Sequence, residues 1–280
     1  NSFNAHIYER LTARNPQLRL VPGLAQSWQQ LSATHWRFML RQGVRFHDGS
    51  ALTSEDVVFS IERAKMPGSA IAQYAKALGE VHPVGPNIVE FRLQKPNPVL
   101  LDQLDTVFIM NKVWAAKQGL SQPTPRQGLN ESAALQKANG TGPYRLVSRL
   151  VDVRNTLTRH NDYWGPIDGN VKELIHLPIS SAATRMAALQ SGEVDLVQDV
   201  PPQYASHLGQ QSDLKVWQGP ENRVIFLGFD QASWLDSATG QPNPWRHLQV
   251  RQAVAHAIDS ESLLRLVLQN MGLPTSCLMP

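Results

Sequence analysis

The stretch Trp36-Arg37-Phe38-Met39-Leu40-Arg41-Gln42-Gly43-Val44-Arg45-Phe46-His47-Asp48-Gly49, followed by Leu52-Thr53-Ser54-Glu55-Asp56-Val57-Val58-Phe59-Ser60, decides how the chain is read. From His35 to Leu40, large apolar and polar residues alternate, the period of a half-buried strand. Val44-Arg45-Phe46 follows after Gln42-Gly43 and reads as a paired strand, ending at the tight-turn dipeptide Asp48-Gly49. Thr53 is an N-cap, with Asp56 placed so that its carboxylate reaches back to the cap. The helix it opens is expected over about residues 54–64, with Val57, Val58 and Ile61 buried and Pro67-Gly68 as its stop.

Upstream, Phe3, Ile7 and Leu11 recur at helical spacing and predict a helix over 3–11, stopped by Asn15-Pro16. Val21-Pro22-Gly23 through Trp28 reads as a turn packed onto a short helix. Downstream, short helices are expected over 74–78 and from Val99. Val81–Val84 and Ile88–Leu93 form a hairpin across Gly85-Pro86-Asn87. Residues 118–140, rich in Gln, Ser, Pro, Asn and Gly, read as a long surface segment, a lid or linker. Beyond Gly142-Pro143, strands are expected at 144–147, 155–159, 173–178 and 195–197, with a helix over 181–192. That alternation suggests a βαβ unit in a mixed sheet. Further strands are expected at 216–217 and 224–229, then a helix over 248–258 and one capped by Ser260 running to about Asn270.

Hydrophobic residues make up 42% and charged residues 18%, a globular balance that excludes a disordered chain. The net charge of +3 comes from mixed signs rather than a basic block, so no nucleic-acid footprint is present. The single cysteine, Cys277, leaves no disulfide framework and no cysteine-based zinc site. No apolar run approaches the roughly 20 residues of a membrane helix, so no membrane span is expected. No Lys follows a Gly, which excludes a phosphate loop, and there is neither a G-x-S-x-G elbow nor an H-E-x-x-H helix. The pair His47-Asp48 could orient an imidazole, yet a polar turn at a strand end is the favoured reading. Asp48, Glu55 and Asp56 lack the alternating ligands of a calcium loop, and the seven Trp favour packing over a cleft lining. No metal, no cofactor and no enzymatic activity are expected.

The order of several phrases resembles a known family. Leu20-Val21-Pro22-Gly23-Leu24-Ala25-Gln26-Ser27-Trp28 comes first, and the Trp36–Gly49 and Leu52–Ser60 stretches follow. Then come Asn139-Gly140-Thr141-Gly142-Pro143-Tyr144, Asn161-Asp162-Tyr163-Trp164-Gly165, Gly192-Glu193-Val194-Asp195-Leu196 and Val250–Asp259. This is similar to the extracytoplasmic solute-binding proteins, family 5, of peptide and nickel ABC importers. The resemblance implies an α/β fold: a type II periplasmic-binding-protein-like lobe with a mixed β-sheet and an inserted small α+β domain. It implies that residues 1–18 and 141–228 form the first-lobe main sheet, that 19–140 are the inserted domain, and that 229–280 open a second lobe. Family members are usually longer, so the chain is expected to be a fragment with a truncated second lobe. Apolar surface is then expected to be exposed from Trp234 to Pro280, with dimerisation or disorder there.

By the same resemblance, the function is that of an extracytoplasmic receptor, periplasmic or lipoprotein-anchored, of an ABC importer. It captures a small solute, with short peptides favoured, in an interlobe cleft and delivers it to the permease subunits. The alternative is the ligand-sensing domain of a transcription regulator built on this fold. A hydrolase would need a nucleophile–base pair or metal set that the sequence does not offer. The resemblance implies cleft-facing positions near Tyr8, Ile71–Tyr74, Phe108–Asn111, Val200–Gln203 and Asn222–Phe226. Tyr8 and Pro201 are counted among the contacts; Tyr74 and Phe108 are candidates to stack on the ligand, and Asn111 and Asn222 to hydrogen-bond it.

Overall fold

The structure, a computed structural model, describes residues 2–123, 137–219 and 223–275. The chain divides into two units, Asn1–Pro178 and Ile179–Pro280. The expected surface segment at 118–140 lies largely outside the described residues.

In the first unit, α1 (Ser2–Ile7) is shorter than the helix expected over 3–11. Leu11 is fully buried, and its carbonyl accepts from the N–H groups of Gly23 (3.1 Å) and Ala25 (3.0 Å). That backbone is therefore committed to sheet-like pairing and cannot continue a helix. β1 (Thr12–Arg14) then pairs antiparallel with β2 (Leu20–Pro22).

A four-stranded antiparallel sheet follows in the order β3 (Ala25–Ser32), β4 (His35–Leu40), β6 (Ile88–Arg92), β5 (Glu80–Pro83). The expected hairpin of β5 and β6 forms. The partner of β4 on its other edge is β3, with Trp28 opposite Phe38, where a turn and short helix had been expected. Most of β3 faces solvent with polar side chains, which hides its period. Val44–Phe46 is a loop folded on itself: Phe46 N–H donates to Ser50 (2.8 Å) and Leu52 N–H to Val44 (3.0 Å). Its backbone groups are spent within the loop, so it cannot also pair with β4, although Val44 and Phe46 are both buried.

α2 (Ser54–Lys65) packs on this sheet through Val57, Ile61 and Ala64, spaced four and three residues apart. Its start is capped as expected: the Asp56 carboxylate accepts from the Thr53 N–H and hydroxyl, each at 2.9 Å. The short helices α3 (Ala72–Lys76), α4 (Leu100–Leu104) and α5 (Lys112–Lys117) complete the layer. One core joins Leu11, Leu40, Phe46, Ile61, Leu104 and the Phe38–Phe91 pair, whose rings meet edge to face at 5.1 Å.

A second sheet runs β7 (Tyr144–Leu150), β8 (Arg154–Arg159), β9 (Glu173–His176), again antiparallel. Its smaller core is Ile7, Tyr144 and Leu157, so α1 belongs to this sheet despite the distance in sequence. The segment Asn139–Pro143 stitches the pieces together. Gly142 N–H donates to Ile7 (2.9 Å), His47 N–H to Gly140 (2.9 Å), and His160 N–H to Pro143 (2.8 Å). A Cβ on Gly140 would lie 1.9 Å from the Ile7 carbonyl oxygen, and one on Gly142 would lie 2.5 Å from that of His6. Close backbone approach, not a left-handed turn, requires these two glycines.

The second unit carries α6 (Ala182–Gln190), α7 (Pro202–Gly209), a 3₁₀ turn at Pro244–Arg246, α8 (Leu248–Ala257) and α9 (Ser260–Leu266). The cap of α9 is Asp259, not Ser260: its carboxylate accepts from Ser262 N–H at 2.9 Å. The strands expected at 195–197, 216–217 and 224–229 are absent among the described residues, and so is the βαβ crossover. Strands exist only where a neighbour supplies ladder hydrogen bonds, and Leu196, Trp217 and Ile225 stand exposed instead. Neither α8 nor α9 buries a residue, and Trp234, Leu266 and Leu273 are at least two-thirds exposed. The expected open apolar surface is therefore present over the described part of 234–280.

Candidate ligand-binding surface

Tyr8 closes the last turn of α1, its N–H donating to Asn4 at 2.8 Å. Phe108 lies between α4 and α5, fixed there by the neighbouring Ile109 N–H, which donates to the Glu9 carbonyl at 2.9 Å. This backbone bond brings the two aromatic rings to 6.2 Å. The Arg10 guanidinium sits 4.2 Å from the centre of the Phe108 ring and is held by Asp105 at 3.4 Å. The result is a half-buried platform of two aromatic faces and a cation. Burial pushes the Tyr8 phenol up to about 12, against a backbone hydrogen bond from Asn139 and the charge of Arg63. It is thus a neutral hydroxyl near pH 7. Such a platform can stack on planar or apolar groups and attract a carboxylate.

The other sequence candidates fall elsewhere. Asn111 is buried and caps α5: its side-chain oxygen accepts from Trp114 N–H (2.7 Å), and its amide donates to the Ser50 hydroxyl (3.0 Å). Tyr74 projects from α3, 60% exposed. Pro201 stands at the N-cap of α7 in the second unit, ahead of Pro202 in the first turn. Asn222 lies outside the described residues.

Two features escaped the sequence reading. Glu9 carries a carboxylate that accepts from the Tyr163 hydroxyl and the Trp164 indole N–H, both at 2.9 Å. Burial raises its pKa, and the Trp164 and Tyr163 bonds work against the rise. No local pattern joins residues so far apart in the chain, although Tyr163-Trp164 had stood out as a motif. The second is the contact of His47, itself singled out, with His160. Asp48 does not orient its ring; that carboxylate accepts from Ser50 N–H (3.0 Å) and the Asn139 amide (2.8 Å), as a polar turn would. The imidazole instead contacts His160 and the backbone of Gly140 and Gly142. Among the described residues, no group of three His, Cys, Asp or Glu side chains converges as a metal site would. No described helix is long and apolar enough to cross a membrane.

Comparison with solved structures fixes the fold. The Escherichia coli murein tripeptide binding protein MppA is similar over 99% of this chain and 54% of its own, with a TM-score of 0.80 at 20% identity. NikZ from Campylobacter jejuni, solved in complex with Ni(L-His), matches 95% of this chain and 50% of its own, with a TM-score of 0.77 at 23% identity. The fold is accordingly the α/β fold of the type II periplasmic binding proteins.

The sequence comparison is more specific. Residues 19–280 match the description "bacterial extracellular solute-binding proteins, family 5 Middle". The dipeptide-binding protein of Escherichia coli (strain K12) is 26% identical over 283 residues, covering 93% of this chain and 50% of its own. This chain belongs to the bacterial extracellular solute-binding proteins, family 5. It spans about half the length of the curated relatives it matches.

Proposed function

We propose that this chain serves in an extracytoplasmic receptor of an ABC importer, capturing short peptides and passing them to the permease subunits. The observation that carries this reading is the family match, which runs through residues 19–280. Names of similar proteins favour peptides: one is a dipeptide-binding protein and another a murein tripeptide binding protein. The Tyr8–Phe108–Arg10 platform suits that ligand class, because a peptide offers flat amide groups to aromatic faces and a terminal carboxylate to a guanidinium. On this reading the protein works in the periplasm or from a lipoprotein anchor, performs no reaction and needs no cofactor. Residues 1–18 and 141–228 then belong to the first lobe, with β7–β9 in its main sheet, 19–140 to its inserted domain, and 229–280 to the opening of the second lobe. On the same reading Tyr74, Pro201 and Asn222 are further contacts, while Asn111 supports the loop as the cap of α5.

Native mass spectrometry of the purified protein is the test, followed by titration with dialanine and trialanine. A co-purifying peptide mass, or saturable binding weakened by Phe108→Ala, is expected. An empty chain that no peptide binds, or binding indifferent to Phe108→Ala and Tyr8→Ala, overturns the reading.

A further inference from the structure

A cavity of about 600 Å³ opens beside the second sheet, beneath the loop that joins β8 to β9. That size falls within the roughly 300–1,000 Å³ of small-molecule sites. Its walls carry Arg145, Arg159, Lys172, Thr158, His160 and Tyr163, and no Asp or Glu lines it. The β7–β8 register sets Arg145 opposite Thr158, so both side chains leave the same face of the sheet.

Three positive charges and no carboxylate give the lining a single sign. Arg159 donates to the carbonyls of Gly169 (3.2 Å) and Ile167 (3.4 Å), which shapes the loop and leaves its charge uncompensated. Among the described residues, none of the three cations forms an ion pair. Asp162 and Glu173 do not line it, although Glu173 stands opposite Thr158 across the β8–β9 pair and the charge of Asp162 reaches His160. His160 is 93% buried and its Nε2 has no hydrogen-bond partner. That nitrogen is itself closed off from the cavity, so the ring forms part of the wall and packs against His47.

We infer that this cavity is a binding site for a small carboxylate or phosphate anion, separate from the Tyr8–Phe108 platform. Arg145 and Lys172 at the wall supply charge, Arg159 holds the loop and adds its own, and Thr158 offers a hydroxyl. The site lies wholly within the first unit and does not depend on the importer reading.

Calorimetric titration of the 280-residue chain with citrate and with inorganic phosphate, against sodium chloride of equal ionic strength, tests it. Saturable one-site binding of citrate or phosphate is expected, weakened about tenfold or more in R145Q/K172Q and unchanged in K95Q. Arg145, Lys172 and Lys95 are exposed, so these variants should keep the wild-type melting temperature. A response that sodium chloride reproduces, or binding that R145Q/K172Q leaves intact, overturns the inference. So does sedimentation with phosphatidylglycerol vesicles in the absence of citrate or phosphate binding, since the basic face would then read a lipid surface rather than a free anion.

Discussion

The imidazole rings of His47 and His160 meet edge to face with their centres 4.9 Å apart, where the first sheet's loop touches the second sheet. His47 Nε2–H donates to the Gly142 carbonyl at 3.0 Å, and Gly140 N–H donates to Nδ1 at 3.4 Å. A neutral ring satisfies both; a second proton on Nδ1 would face another N–H. Burial, more than any neighbour, lowers the His47 pKa to about 4, while the Gly142 bond opposes the fall; His160 and Arg145 add to it and Asp48 opposes it.

The unfolded chain therefore binds a proton at His47 between pH 6.5 and 4 that the folded chain refuses. Stability is full above pH 6.5 and falls as pH drops through that window, by about 2 to 3 kcal/mol for this residue once its partial exposure is discounted. His160, also lowered chiefly by burial, acts in the same direction. Urea unfolding at pH 7 and pH 4 is expected to show a smaller difference in H47Q than in the wild type.

Gly140→Ala should be among the most damaging small substitutions. The added carbon meets the Ile7 carbonyl at 1.9 Å, so the backbone must part. A loss of about 3 kcal/mol is expected. Gly219→Ala, with nothing within 4 Å of the added Cβ, should stay within about 0.5 kcal/mol. Equal effects in denaturant melts would contradict the close-approach account.

Tyr163→Phe removes the donor to one Glu9 oxygen while keeping the ring. The carboxylate then loses a hydrogen bond in a buried setting, at a cost of about 1 to 3 kcal/mol at pH 7. Its pKa should rise further, because the Tyr163 bond holds it down. Carbon-detected NMR titration of Glu9 reads the shift directly.

Phe38→Ala opens a hole opposite Phe91 in the larger core. A loss of about 3 to 5 kcal/mol is expected, seen as a lower urea midpoint. Phe226→Ala, at a side chain 63% exposed, should change the midpoint little.

The helix over Ser54–Lys65 was legible because its cap and stripe are local: Thr53, Asp56, Val57 and Ile61 lie within nine residues. So was the β5–β6 hairpin, whose turn is written as Gly85-Pro86-Asn87. The β3 strand was not, because its polar face erased the alternation that marked β4. At the platform, Tyr8 and Phe108 were singled out, but their meeting was not visible, since the Ile109–Glu9 bond that unites them spans a hundred residues. Arg145 and Lys172 carry no local signal in the sequence; the β7–β8 register and the loop above it set them around one cavity.

The attachment of α1 to the second sheet has a consequence for synthesis. Ile7 and Glu9 leave the ribosome well ahead of the groups that bury them, Gly142, Tyr144, Leu157 and Trp164, which emerge more than 130 residues later. Such pairing must wait for loop closure over most of the first unit, which slows folding and prolongs exposure of the early segment. The four-stranded sheet and α2, all contained within residues 25–92, can form in the meantime. Vectorial folding of this unit would thus begin within residues 25–92, and Ile7 and Glu9, although synthesised earlier, would find their places later.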